Sequence, residues 1–124
     1  MAMTLDWMIG VDDNWCLFDS LALDSECFAN NLSGVYVVWY GPDEAGHEGR
    51  VVCVGHGVIK IKLAALREDA TMNRYFGRHL LTTWAEVDPK HQAGVEAYLA
   101  TRLKPILGDH HHHSVQTIVN LPPW

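Results

Sequence analysis

Glu96 is the residue of this chain whose position most needs a chemical explanation. It borders a helical apolar stripe made by Val95, Leu99 and Leu103, and no Lys or Arg stands three or four positions away to pair with it. A carboxylate so placed needs a partner from elsewhere, which marks it as a site candidate. Tyr36, inside an apolar run, offers a phenol; the competing reading is a core tyrosine with its hydroxyl satisfied at a sheet edge. His56, between Gly55 and Gly57, can exchange a proton near neutral pH, or it is an exposed turn residue. Lys60, Lys62 and Arg67, with Arg74 and Arg78 behind them, form a basic cluster that suits phosphate or is simply the solvated face of a helix. Cys53 reads as a small packing residue, since no histidine follows at a catalytic spacing. His110 to His113 can bind Ni²⁺ or Zn²⁺ as a flexible tract, but adjacent residues cannot all face one ion, and the tract reads as a polar loop. Neither a glycine-rich phosphate loop nor a Ser, His, Asp triad is identifiable.

The elements that position these groups follow from periodicity. Val35 to Tyr40 is continuous, β-branched and aromatic, as expected of a central strand buried on both faces. Gly41 to Gly49 reads as a hairpin loop, leading to a strand over Arg50 to Val54 that Gly55-His56-Gly57 ends. Ile59, Leu63 and Leu66 share one helical face, so a helix is expected over Val58 to Glu68, with Lys62 at the border of that face. Residues 79 to 87 read as a third strand, with Trp84 facing away from Thr83 and Ala85. Asp88-Pro89 then starts a second helix, Asp as N-cap and Pro at the first position, which Pro105 ends after Lys104. A short helix is expected near Cys16 to Leu23, and a last extended segment over Val115 to Asn120. Together these predict an α+β domain, a small, mostly antiparallel three-stranded sheet covered by two main helices. Residues 1–32 form an arm docked on a domain spanning 33–124, one structural domain in total.

Gly34-Val35-Tyr36, Cys53-Val54-Gly55, Ile59 to Leu63, and Glu96 nine residues before Pro105 occur in the order of the GIY-YIG nuclease signature, which residues 33 to 124 resemble. The resemblance implies that fold and a metal-dependent endonuclease acting on DNA. It further implies one Mg²⁺ or Mn²⁺ on Glu96, Tyr36 as the first tyrosine, and His56 where some members handle protons. Lys62 falls, after one extra residue in the turn, where the family has an arginine. Phosphodiester hydrolysis needs a nucleophile deprotonated near neutral pH and positive charge at the phosphate, and a divalent ion on a hard carboxylate supplies part of both. The chain departs from the pattern at three positions. Cys53 stands for the second tyrosine, Lys62 for the arginine, and Gly108, beside Asp109, for an asparagine. Those departures support a second reading, a GIY-YIG-like fold serving as a binding or protein-interaction module.

With 124 residues and 48% hydrophobic content, the chain suffices for one domain with its own core. Its formal net charge of -6 opposes DNA binding, because affinity for polyphosphate comes largely from Lys and Arg. Cys16, Cys27 and Cys53 are odd in number and lack paired ligand spacing, which fits reduced thiols and a cytoplasmic protein. No apolar run approaches the ~20 residues of a membrane span, so no membrane association is expected.

Overall fold

The computed structural model describes residues 2–8, 16–18, 32–41, 49–70, 72, 80–107 and 116–122. Eight elements lie within them: β1 (Ala2–Met3), β2 (Cys16–Leu17), β3 (Ser33–Tyr40), β4 (Arg50–Val58), α1 (Ile59–Glu68), β5 (Leu80–Glu86), α2 (Pro89–Leu103) and β6 (Ile118–Val119). The architecture is α+β. An antiparallel sheet of four strands, ordered β2-β5-β3-β4, carries one helix on each face, and β1 pairs in parallel with β6 beside it. Among the described residues no helix is long and apolar enough to cross a membrane.

The apolar run of β3 is central, as its composition predicts, and alternates between two cores. Tyr36, Val38 and Tyr40 pack with Ile59 and Leu63 of α1, Phe18, Met72 and Trp84. Val35, Val37 and Trp39 pack with Val95 and Leu99 of α2, and with Leu5 and Trp7 from the N-terminal segment. Trp84 is buried on the opposite face from Ala85.

The sheet has a fourth strand where the sequence suggests a helix: Cys16 and Leu17 pair with Thr82 and Leu81 of β5. Two residues have no periodicity to read, and the partner strand decides their conformation. A larger correction concerns β4, which does not stop at Val54. It runs through Gly55-His56-Gly57 to Val58, paired with Ser33 to Tyr36, and passes into α1 without a loop. Within it, Val38 faces Cys53 while Trp39 faces Val51, so Val52 is an inserted bulge residue. The bulge resets the alternation, putting Val51 and Val54 on the α2 side although they are three residues apart.

Neither helix begins on a capping side chain. The amide of Ile59 donates to the Leu32 carbonyl at 3.0 Å. Asp88 occupies the N-cap position of α2 but makes no side-chain cap bond. Instead the buried Gln92 donates to the Val87 carbonyl at 2.8 Å and to the Ser33 hydroxyl at 3.2 Å, tying α2 to the end of the sheet. Lys104 closes the helix at φ 49°, a left-handed cap whose amide donates to the Ala100 carbonyl, and the proline after it stops the helix from continuing.

The C-terminal segment is stitched to the N-terminal one by Asn120. Its Oδ1 accepts from the Leu5 amide at 2.6 Å, its Nδ2 donates to the Leu5 carbonyl at 2.9 Å, and its own carbonyl accepts from the Trp7 indole at 3.0 Å. Asn120→Ala removes both side-chain bonds and is expected to cost about 1–2 kcal/mol. A thermal melt reads this as a fall of roughly 5 °C; an unchanged midpoint would show that the two terminal segments are not joined in this way. Trp124 lies outside the described residues.

Candidate functional site

At one end of the sheet, β4 supplies Gly55-His56-Gly57 opposite Tyr36, Val35 and Gly34 of β3. Directly opposed residues share a face. Gly55 and Gly57 therefore face the α1 side and His56 the α2 side. The two glycines leave room that other side chains take. A Cβ on Gly55 would run into the ring and hydroxyl of Tyr36, so the phenol lies across that position. A Cβ on Gly57 would stand 2.7 Å from Cε of Lys62, and Gly57 itself has φ +130°, a conformation that suits glycine. Positions two apart on a strand are about 7 Å apart. The phenol and the lysine stem therefore lie side by side over β4.

On the other face, His56 meets Glu96 of α2, with Nδ1 3.1 Å from Oε2. The imidazole is 38% exposed and the carboxylate 17%, so the pair sits at the rim rather than in the core. Tyr36 is placed across Gly55 from this pair. Burial first, then the acidic groups of Cys53 and Glu96, push its phenol well above the ordinary tyrosine value. At neutral pH it is a hydrogen-bond donor and not a base. The structure thus brings His56 into contact with Glu96, and Tyr36 alongside Lys62, with the Gly55–Gly57 backbone between the two pairs.

Cys53 does not join them. It is buried on the α1 side, opposite Val38, and packs among core side chains. Burial, with a smaller contribution from Asp69, pushes its thiol up to about 12. Native protein is expected to resist alkylation at Cys53 at pH 8, with reaction appearing on unfolding, because the thiolate is the nucleophile. The same shift has a stability consequence. The folded chain holds this proton more tightly than the unfolded one, so the contribution is complete below the ordinary value of 9.0 and is lost as pH rises towards about 12. Rapid native alkylation, counted by mass spectrometry, would contradict this burial.

The basic cluster also divides. Arg67 turns inward, donating from Nε at 3.1 Å and from a terminal nitrogen at 2.7 Å to the Phe18 carbonyl, with its guanidinium 5.9 Å from the Phe18 ring centroid. It anchors β2 to α1. Lys60 and Lys62 are exposed. Arg74, Arg78, Gly108, Asp109 and His110 to His113 lie outside the described residues. The contact that sequence reasoning missed is His56 with Glu96. A usable signal was present: glycines on both sides of a histidine in a strand clear one face and leave the imidazole alone on the other.

Compared with protein-family models, with curated proteins and with solved structures, the chain matches none.

Proposed function

We propose that this domain binds DNA phosphodiesters at the Gly55–Gly57 segment and cleaves them as a specialised, metal-dependent endonuclease. The observation that supports this reading is the gathering of four chemically distinct groups around three residues of one strand. The phenol of Tyr36 and the stem of Lys62 lie on one side of that segment, and the imidazole of His56 with the carboxylate of Glu96 on the other. Glu96 is a hard carboxylate at the rim, the kind of group a divalent ion takes, and His56 pairs with it. Mg²⁺ or Mn²⁺ held by Glu96 would supply a hydroxide near neutral pH and positive charge at the phosphate. Among the described residues no group of three or more His, Cys, Asp or Glu side chains gathers, so Glu96 would be the principal protein ligand of such an ion.

The protein's own groups divide the remaining work. Tyr36, held protonated, donates a hydrogen bond to a phosphate oxygen and orients it. Lys62 supplies a point charge where a planar guanidinium would grip two oxygens at once. His56 stands beside Glu96 rather than over Gly55, so its effect runs through the carboxylate. The second reading, a binding or protein-interaction module on the same scaffold, is favoured by Cys53, which packs into the core and offers no second phenol.

Lys62→Arg separates the two readings. Restoring the bidentate grip is expected to raise Mg²⁺- or Mn²⁺-dependent nicking of supercoiled DNA by roughly ten-fold, with binding that weakens as salt rises. DNA that is bound by both proteins and cut by neither supports the binding module instead.

A further inference from the structure

We propose that a cavity between the N-terminal segment and the end of β5 binds small organic ammonium ions, the apolar chain inside and the charged head at its mouth. It lies on the opposite side of β3 from β4, since Glu86 pairs with Gly34 and Gly34 with Gly57. The proposal is independent of the nuclease reading. Its origin is a strand edge left uncovered. The Met8 amide donates to the Trp84 carbonyl at 2.9 Å, so the N-terminal segment meets β5 there. An antiparallel ladder continued from that bond would set Asp6 opposite Glu86, and like charges so opposed are unfavourable. The segment leaves β5 instead, and Asn120 takes both backbone groups of Leu5.

What this leaves is a cavity of about 280 Å³, near the small end of ligand pockets. Leu5, Met8, Leu32 and Trp84 give it an apolar lining. The charged residues that line it are Asp6 and Glu86, both exposed, and no Lys, Arg or His does. Backbone groups add to the polar side. Successive residues of a strand present N–H and C=O to opposite neighbours. The Val87 amide donates to Ser33 on the β3 side, while the Trp84 carbonyl faces Met8. The N–H and C=O of Glu86 therefore point away from β3 as those of Trp84 do, and among the described residues no backbone group meets them. An ammonium head donates three hydrogen bonds and accepts none, which suits two carboxylates and a carbonyl. The same carboxylates, with a formal net charge of -6, repel an anion of equal size. Because both acids are exposed, the head stays partly hydrated while the chain alone leaves water.

The test is a titration of the full chain with hexylammonium, followed by NMR through the Trp84 indole and Met8 methyl signals, with hexanoate as the matched anion. Hexylammonium is expected to shift both signals and to bind at least about ten-fold more tightly than hexanoate. It should also bind about ten-fold more tightly than butylammonium, because each added methylene that leaves water strengthens binding roughly three- to four-fold. Asp6→Asn combined with Glu86→Gln is expected to weaken hexylammonium by roughly five-fold or more, while both substitutions leave the apolar lining in place. Nα-acetyl-lysine methylamide distinguishes the two sources of such a head. Binding tighter than that of butylammonium supports a lysine side chain whose peptide meets the Glu86 backbone, and weaker binding supports a free amine. Hexanoate that binds as well as hexylammonium, an affinity unmoved by the double substitution, or a titration that leaves Trp84 and Met8 unshifted would each overturn the proposal.

Discussion

A Gly34→Ala variant is expected to melt at least roughly 10 °C below the parent. Gly34 lies between Gly57 of β4 and Glu86 of β5. A Cβ there would run into the Ala85 carbonyl oxygen and stand 2.9 Å from both the Ala85 carbonyl carbon and the Glu86 Cα. These are backbone atoms of a strand paired to β3 along its whole length, so they cannot rotate aside as a side chain could. Overpacking of this kind costs about 3 kcal/mol or more. Gly41→Ala is the matched control, because a Cβ at Gly41 meets nothing within 4 Å. Equal melting temperatures for the two variants, measured by circular dichroism, would show that the three strands are not packed as described.

Those glycines also explain where the sequence was legible and where it was not. The run from Val35 to Tyr40 announces a strand buried on both faces because its composition is set by two cores at once. The second helix is readable at both ends, from Pro89 to Leu103, because prolines act through their own covalent geometry. Gly55 and Gly57 are different. Locally they resemble a stop signal, but they are small because Tyr36 and Lys62 lie across them, and those neighbours come from other elements. The Val52 bulge and the two-residue β2 are likewise decided by their partner strands. At the site, the residue types could be read directly, and Glu96 stood out for lacking a partner in its own helix. That its neighbour is His56, forty positions away, depends on strand parity downstream of a bulge. Arg67 shows the limit from the other side: it reads as part of a basic cluster facing phosphate or simply solvent, yet its guanidinium holds a carbonyl 49 residues distant.

Glu96→Gln carries the largest expected effect on activity. The substitution keeps the shape of the side chain at the rim of the sheet but removes its charge, and an amide is a far poorer ligand than a carboxylate for a hard cation. It also removes the negative charge facing the His56 imidazole. Loss of the carboxylate therefore strikes the proposed metal-binding group while leaving the two cores untouched, since neither includes Glu96. The most direct measurement is the rate at which supercoiled DNA is nicked in Mg²⁺ or Mn²⁺ by the parent and by Glu96→Gln, with melting temperatures recorded for both. The account predicts parent cleavage that chelation abolishes, a loss of about 100-fold or more in the variant, and little change in melting. Cleavage by Glu96→Gln at the parent rate, or parent cleavage that survives chelation, would contradict it.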